Sequence, residues 1–266
     1  MRLDVSLVKQ QIFSSREVAK FNILKGHVAV NGKVAKKPSQ YISETDSIEL
    51  VGEPPLPYVS KGGLKLHKAI KEFGIDCSHL NALDVGASTG GFTDCLLKLG
   101  ASCVYATDVG TNQLAKELKD DGRVISIENI NIKNLLPEHV DKKKFNLIVT
   151  DLSFISLTKV IEFFPKFLQP DGIVVALIKP QFEVGSESIS KGGIVKDKKA
   201  HATAIINIAQ ESAKHKLFLK SLTWSPIVSA SKNIEYLSLF TKELSILPDI
   251  NQTVKLAFKQ QKELLR

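Results

Sequence analysis

The order of apolar and polar positions divides the chain into two segments. In the first, RLDVSLVKQQ carries apolar residues at Leu3, Leu7 and Val8, which share one face of a helix. SSREVAKFNILKG follows, with Ser14 and Glu17 at the spacing of a capping box, and predicts a second helix. The first segment is therefore predicted to begin with two short helices.

Short strands are predicted after these helices. HVAVNGKVAKKPS alternates apolar and polar positions around Asn31-Gly32, the dipeptide most typical of a tight hairpin. Ile48 and Leu50 indicate a closing strand. We predict a small α+β domain over residues 1-51. A Pro-rich linker follows over residues 52-60, because GEPPLPYVS cannot form the interior of a helix.

A mostly parallel sheet is predicted beyond the linker, where apolar strands alternate with helical stretches. Five strands are expected at NALDVG, SCVYATD, RVISIE, FNLIVTD and DGIVVALIK. Two more, FLKSLTW and EYLSLFTK, follow a helix that runs from Ile205 to about Lys214. Seven strands with flanking helices indicate an α/β, Rossmann-like domain over residues 61-245. Residues 246-266 are interpreted as a basic amphipathic C-terminal tail.

Composition limits the partners and the compartment. Lys and Arg number 36 against 28 Asp and Glu, and the excess favours a polyanionic partner. Three cysteines without a C-x-x-C pair, and histidines without metal spacing, indicate reduced thiols, a cytoplasmic protein and no metal site. The apolar run IVVALI is far shorter than the roughly twenty residues that span a bilayer, so no membrane insertion is expected.

The stretch LDVGASTGGFTD places a glycine-rich turn between a predicted strand and a helix from about Phe92. Gly86 and Gly90 would let a ligand lie against the backbone, and Asp108 ends the next strand, where a carboxylate can bind a ribose diol. A dinucleotide, S-adenosylmethionine or no ligand at all is compatible with a glycine turn. The wide D-x-G-x-x-x-G-G loop, with Asp84 placed to repel a pyrophosphate, favours S-adenosylmethionine.

Two further predicted strands end in charged residues at the same edge of the sheet. Asp151 follows FNLIVT, and Lys179 follows VVALI. A lysine at the end of an apolar strand must be paired or desolvated. An ion pair with Asp151 that only closes the sheet edge is one interpretation. A ligand site is the other, because open α/β sheets bind ligands at this edge.

Several motifs, in order, resemble the haemolysin A (TlyA-type) methyltransferases: DVGASTGGFTD, ATDVG, TDLSFIS, LIKPQFE, KGGIVKD and NIEYL. Their catalytic domain is of the FtsJ-like ribose 2′-O-methyltransferase type. The N-terminal segment is similar to the alpha-L RNA-binding motif. The resemblance extends to about Phe240 and implies an S-adenosylmethionine-dependent methyltransferase fold. It further implies transfer of a methyl group to a ribose 2′-hydroxyl, with ribosomal RNA cytidines, free or within ribosomal subunits, as the substrate.

The resemblance also implies the site residues. It assigns a catalytic Lys-Asp-Lys-Glu set to Lys65, Asp151, Lys179 and Glu235. The residues expected to bind S-adenosylmethionine are Asp84, Gly86, Ser88, Gly90, Gly91, Phe92, Asp108, Glu128, Asn129, Asn131 and Asp151. Separately from the resemblance, the basic charge of the N-terminal helices makes Arg2, Lys9, Arg16, Lys20 and Lys25 candidates to contact RNA phosphates, and Lys61 is assigned the same role.

Lys179 has two candidate roles. As a neutral amine it would remove the proton of the ribose hydroxyl, and as a charged donor it would only position that hydroxyl. Three other functions compete with methyl transfer. A nicotinamide dehydrogenase would need the tighter G-x-G-x-x-G loop, and a pore-forming haemolysin would need spanning segments. A non-catalytic RNA-binding ribosome-assembly factor is not distinguished by residue types.

Overall fold

The computed structural model describes residues 1–10, 12–13, 16–43, 45–52, 58–227, 229 and 232–264. Its N-terminal part contains helices α1 and α2 (Leu3–Lys9 and Arg16–Leu24) and strands β1, β2 and β3 (Val28–Val30, Lys33–Val34 and Ile48–Leu50). The strands form an antiparallel sheet in the order β2-β1-β3.

The hairpin predicted at Asn31-Gly32 is confirmed. Both residues have left-handed backbone, with φ of 51° and 73°, and Val30 pairs with Lys33 across the turn. Left-handed backbone at both turn positions matches the right-handed twist of the flanking strands. Gly26, with a left-handed φ of 79°, follows shortly after the end of α2, where a residue without a Cβ is favoured. The capping box predicted at Ser14 lies outside the described residues.

The second segment contains a seven-stranded sheet in the order β6-β5-β4-β7-β8-β10-β9. Its strands are β4 Asn81–Val85, β5 Cys103–Thr107, β6 Val124–Ile127, β7 Phe145–Thr150, β8 Leu168–Ile178, β9 Phe218–Trp224 and β10 Tyr236–Thr241. Strands β4 to β8 run parallel, and β10 runs antiparallel to β8 and β9. The predicted seven-stranded, mostly parallel α/β sheet is confirmed.

Helices and short 3₁₀ turns connect the strands. The helices are α3 Lys61–Phe73, α4 Gly91–Lys98, α5 Lys116–Lys119, α6 Lys198–Lys214 and α7 Ile250–Leu264. The 3₁₀ turns are Ile132–Asn134, Pro137–Val140, Leu157–Lys159, Ile161–Phe163, Pro180–Phe182 and Ser186–Ser188. Adjacent residues of one strand enter different apolar clusters: Leu83 and Tyr236 lie in one, and Ala82 and Leu237 in the other. The sheet is therefore covered on both faces, as parallel sheets usually are.

Helix α6 begins earlier than predicted. It starts at Lys198, not after Ile205, and Asp197 caps it by accepting a hydrogen bond from the Lys199 amide at 3.0 Å. The first turn is rich in lysine, so its apolar periodicity is weak, and its buried side includes the polar residue His201. Strand β8 also begins before the predicted DGIVVALIK, because Leu168 already pairs with β7.

The C-terminal segment contributes a helix to the core. Within the expected tail, residues Ile250–Leu264 form α7, which contacts α6 and β9. Ile250, Val254 and Ala257 are buried, and the ring of Phe258 lies 4.9 Å from that of His201. The amphipathic pattern of this segment therefore reflects packing against the sheet domain.

Candidate active site

Strand register brings three predicted catalytic residues to one edge of the sheet. Asp151 directly follows β7, Lys179 directly follows β8, and Glu235 directly precedes β10. Strands β7 and β8 are parallel, and β10 runs antiparallel to β8 with Tyr236 opposite Ile178. The three side chains therefore start from the same end of adjacent strands, where open α/β sheets bind ligands.

Helix α3 supplies the fourth predicted catalytic residue. Ser60 begins the helix by accepting a hydrogen bond from the Gly62 amide at 3.3 Å. A Cβ on Gly91 would lie 2.1 Å from the Ser60 hydroxyl, so glycine is needed where α4 approaches the start of α3. Lys65, in the second turn, reaches Glu235 at 2.7 Å and Asp151 at 3.3 Å.

The four residues form one continuous charge network. The Nζ of Lys179 lies 2.6 Å from Asp151 Oδ1 and donates a hydrogen bond to the Ser153 hydroxyl at 2.8 Å. The order of contacts is therefore Glu235, Lys65, Asp151, Lys179 and Ser153. Ser153 was missed by the sequence reasoning, although it stands two residues after Asp151 in the same motif.

Electrostatics hold the network together. Both lysine side chains are largely buried, at 13% and 9% exposure for Lys65 and Lys179. Two ammonium and two carboxylate groups compensate one another, which buried charges require. Burial acts to lower the pKa of Lys65, but the carboxylates of Asp151 and Glu235 outweigh it, and the pKa is raised. Lys65 is therefore a cation.

The glycine-rich loop faces this network across a pocket of about 190 Å³. The pocket is lined by Ser60, Gly62, Gly86, Ala87, Ser88, Thr89, Gly91, Phe92, Asp151, Ser153 and Lys179. Gly86 has a left-handed φ of 82°, and a Cβ there would lie 2.8 Å from the Leu152 side chain. This one pocket therefore contains Lys179 together with five of the predicted cofactor-binding residues, which are Gly86, Ser88, Gly91, Phe92 and Asp151.

Gly90 serves packing. It has a left-handed φ of 92° as the cap of α4, and a Cβ would lie 2.2 Å from Leu118. It is not among the residues that line the pocket. A side chain at Gly90 would therefore collide with Leu118, a residue of the protein, and not with a ligand in the pocket.

Asp84 lies beneath the loop and does not line the pocket. Its side chain is 1% exposed, and Oδ2 accepts a hydrogen bond from the Thr93 hydroxyl at 2.7 Å. Oδ1 is buried and has no hydrogen-bond partner within the described part of the chain. Burial raises the pKa of Asp84 to about 7, from an ordinary 3.8.

Asp108 shapes the loop from the neighbouring strand. Its carboxylate accepts hydrogen bonds from the amides of Ser88 and Gly110, each at 2.7 Å. Ser88 has a positive φ of 49°, an uncommon conformation for a side-chain-bearing residue. The carboxylate holds the strained loop in place and keeps further lone pairs for a ligand hydroxyl.

Three of the residues predicted to bind S-adenosylmethionine, Glu128, Asn129 and Asn131, form hydrogen bonds within the protein. Glu128 accepts a hydrogen bond from the Asn112 amide at 2.7 Å and lies 3.2 Å from Lys119. Asn129 accepts one from the Thr111 hydroxyl at 2.6 Å. The Asn131 side chain accepts one from the Lys133 amide and caps a 3₁₀ turn. None of the predicted three lines the pocket of the glycine loop.

Two predicted RNA-contacting arginines are bound to a buried acid. Arg2 donates to Asp4 at 2.9 and 3.1 Å, and Arg16 donates to it at 3.0 Å. Asp4 is completely buried, and its pKa is lowered to about 2, first by the hydrogen bond from Arg2. The interpretation of Arg2 and Arg16 as RNA contacts overlooked this bond, which gives both a structural role.

Lysines line a cleft beside the site. Lys25 and Lys61 approach the ring of Phe21 at 5.9 and 5.1 Å. The cleft has a volume of about 870 Å³ and is lined by Lys20, Phe21, Leu24, Lys25, Lys61, Leu64, His67, Lys68, Lys71, Glu72, Pro226, Ile227, Ser229 and Lys232. Lys9 is exposed elsewhere, on α1. Three of the six predicted RNA contacts, Lys20, Lys25 and Lys61, thus share this cleft.

An open α/β sheet with a glycine loop and a Lys-Asp-Lys-Glu network at one edge defines a Rossmann-like methyltransferase domain. The FtsJ-like methyltransferase family matches residues 58–242, and the S4 domain family matches residues 1–48. The chain belongs to the FtsJ-like methyltransferase family and carries an S4 domain at its N-terminal side. The resemblance stated from the motifs is confirmed.

Similar proteins cover nearly the whole chain. Hemolysin A of Brachyspira hyodysenteriae is 44% identical over 90% of this chain and 99% of its own. The 16S/23S rRNA (cytidine-2'-O)-methyltransferase TlyA of Mycobacterium tuberculosis is 39% identical over 88% of this chain and 87% of its own. A solved structure of a candidate hemolysin from Streptococcus thermophilus is 39% identical, with a TM-score of 0.78, covering 100% of this chain and 98% of that one.

Neither a metal-binding cluster nor a membrane-spanning helix is present among the described residues. In the described part of the chain, no group of three or more His, Cys, Asp or Glu side chains is arranged to hold a metal ion. Among the helices formed by those residues, none combines the length and the apolar character needed to cross a bilayer.

Proposed function

We propose that the protein transfers a methyl group from S-adenosylmethionine to a ribose 2′-hydroxyl of ribosomal RNA, with a cytidine as the modified nucleotide. The observation that carries this proposal is the network from Glu235 through Lys65 and Asp151 to Lys179, which ends in the pocket of the glycine loop. The name of the Mycobacterium tuberculosis relative supports ribosomal RNA and cytidine as the substrate.

The residues of the glycine loop fit S-adenosylmethionine. Gly86 presents bare backbone to the pocket, and beneath it Asp84 Oδ1 is a buried oxygen with no hydrogen-bond partner among the described residues. We assign Gly86, Ser88 and Phe92 to the pocket wall and Asp108 to the ribose. When bound, S-adenosylmethionine supplies a methyl group already activated by its sulfonium, so the protein need not activate the donor. The residues of the protein need only align the acceptor oxygen with the methyl group and assist the loss of its proton.

Lys179 and Asp151 act on the acceptor. Lys179 lies in the pocket wall, fixed by Asp151 and Ser153, and contacts the 2′-hydroxyl. As a neutral amine it accepts the hydroxyl proton as the methyl group arrives, and as a charged donor it holds the 2′-oxygen while that proton leaves to solvent. This contact holds the 2′-oxygen in line with the methyl group of S-adenosylmethionine. Lys65 fixes the other carboxylate oxygen of Asp151, and Glu235 fixes Lys65. A preformed network of this kind needs no reorganisation at the moment of reaction.

The S4 domain and the lysine cleft bind the RNA. Lys20, Lys25 and Lys61 neutralise backbone phosphates, which gives affinity without sequence choice. A second pocket, of about 590 Å³, is lined by Lys61 and Lys232 from this cleft and by Lys65 and Glu235 from the network. RNA that fills the cleft can therefore reach the site along a continuous surface.

The test is mass-spectrometric mapping of ribose methylation in ribosomal RNA from cells with and without the protein. One 2′-O-methylcytidine should disappear on deletion, return with the wild-type protein and with Lys214→Ala, and stay absent with Lys179→Ala. Lys214 is an exposed lysine of α6 paired with Glu211. Identical maps in all strains would contradict the proposal, and full cellular function of Lys179→Ala would favour a non-catalytic assembly factor.

A further inference from the structure

Asn233 joins two loops that are distant in the sequence. Its Oδ1 accepts a hydrogen bond from the Val195 amide at 2.8 Å, and its Nδ2 donates one to the Gly193 carbonyl at 2.7 Å. Asn233 stands two residues before Glu235, and both line the 590 Å³ pocket. One amide side chain therefore ties the KGGIV loop to the segment that carries Glu235.

His201 makes a second connection between the same two segments. It is completely buried on α6, with Nε2 2.9 Å from the Val195 carbonyl and Nδ1 2.9 Å from the Tyr236 hydroxyl. Burial lowers the pKa of His201, so the ring is neutral. One tautomer satisfies both contacts: Nε2–H donates to the carbonyl, and Nδ1 accepts from the Tyr236 hydroxyl.

Val195 is thus held from both sides, its amide by Asn233 and its carbonyl by His201. Glu235 lies between the two attachment points, Asn233 and Tyr236, on its own segment. On its other flank, the Glu235 carbonyl accepts a hydrogen bond from the Ser225 amide at 2.8 Å. The backbone of Glu235 therefore has little freedom to move, although it lies outside β10.

We propose that Asn233 is a positioning residue, which with His201 fixes the backbone of Glu235 so that its carboxylate meets Lys65 at 2.7 Å. This inference rests on the proposed function and adds a residue to it. Displacing a catalytic group by about 1 Å can cost about a hundredfold in rate. Loss of the Asn233 side chain should therefore slow methyl transfer through Glu235.

A double-mutant cycle tests this dependence. Single-turnover methyl transfer to ribosomal RNA is measured for wild type, Asn233→Ala, Glu235→Ala and the double variant. Asn233→Ala should lower the rate constant about tenfold or more in the wild-type background and hardly at all when Glu235 is already absent. The Kd for S-adenosylmethionine, measured by calorimetry, should not change.

Asn146→Ala is the matched control. Asn146 also makes two side-chain hydrogen bonds, with the Asn81 amide and with Gln169, each at 3.0 Å, at the opposite end of the sheet. It should leave the rate constant unchanged. If Asn233→Ala does not fold, Asn233→Asp replaces it, since that variant keeps the shape and the bond from Val195 but loses the donor to Gly193.

Equal losses from Asn233→Ala in both backgrounds, or no loss in either, would overturn the inference while the proposed function stands. Absence of methyl transfer by the wild-type protein would instead contradict the proposed function. The two failures are therefore distinguishable in the same experiment.

Discussion

The ammonium of Lys179 lies 2.6 Å from the carboxylate of Asp151, and each residue directly follows a strand of the parallel sheet. An ion pair that only closed the sheet edge would need nothing further. Here Asp151 also contacts Lys65, which in turn contacts Glu235, and Lys179 donates a hydrogen bond to Ser153. Asp151 and Lys179 both line the glycine-loop pocket. The additional contacts favour a functional interpretation of the pair.

Substitutions of Lys179 separate its two candidate roles. Lys179→Ala should lower the rate of methyl transfer by about a hundredfold to ten-thousandfold, the usual contribution of a group that handles a proton. If Lys179 acts as a charged donor, Lys179→Arg should retain part of the activity. If it must become neutral, the arginine variant should be as inactive as the alanine variant, because a guanidinium does not lose its proton. Single-turnover kinetics with bound S-adenosylmethionine measure the difference.

Asp84 should make stability depend on pH. Its pKa is raised to about 7 in the folded protein, so its carboxyl group stays protonated in the folded state up to about pH 7. As pH rises from about 4 to 7, the carboxyl group ionises in the unfolded state but not in the folded state, so the folded state loses stability relative to the unfolded one, by at most about 4 kcal/mol. Asp84→Asn removes this loss.

Urea unfolding of wild type and Asp84→Asn without S-adenosylmethionine, between pH 4 and 8, measures the effect. The stability of wild type relative to Asp84→Asn should fall across this range and level off above pH 7. A constant difference would show that burial does not shift the titration of Asp84.

Local patterns and long-range contacts explain what the sequence could and could not predict. The sheet and the Asn31-Gly32 hairpin are encoded by neighbouring residues and were predicted. The bond between Lys65 and Asp151 joins residues 86 positions apart, and only the family resemblance suggested it. Arg2 was assigned to RNA because charge counts do not reveal that Asp4 is buried. The start of α6 was missed because His201 occupies an apolar position.

Asp4 should stabilise the S4 domain. Its bonds from Arg2 and Arg16 are charge-assisted, so Asp4→Asn should cost about 1–3 kcal/mol of the free energy of unfolding. Because its pKa is lowered to about 2, this stabilisation is present above pH 4 and is lost as pH falls toward 2. The free energies of unfolding of wild type and Asp4→Asn should therefore become similar as pH approaches 2. Asp76→Asn, at an exposed turn, is the control for denaturant unfolding and should have little effect.

Lys25 should contribute to RNA affinity through charge alone. Lys25→Ala should weaken binding of a ribosomal RNA fragment similarly for any sequence, and should reduce the slope of log K against log salt by about 1. Fluorescence anisotropy titrations at several salt concentrations measure the slope. Lys214→Ala, on α6, should leave it unchanged. An unchanged slope for Lys25→Ala would show that Lys25 does not contact RNA phosphates.

Helix α7 should be required for the stability of the methyltransferase domain. Ile250 is 4% exposed, whereas Leu256 of the same helix is 39% exposed. Ile250→Ala leaves a cavity against the core and should cost about 2–5 kcal/mol. Leu256→Ala removes a similar side chain from a more exposed position and should cost less. Both are compared by urea unfolding followed by circular dichroism. Equal effects would mean that α7 does not pack through Ile250, and that residues 250–264 behave as the tail that their basic character suggested.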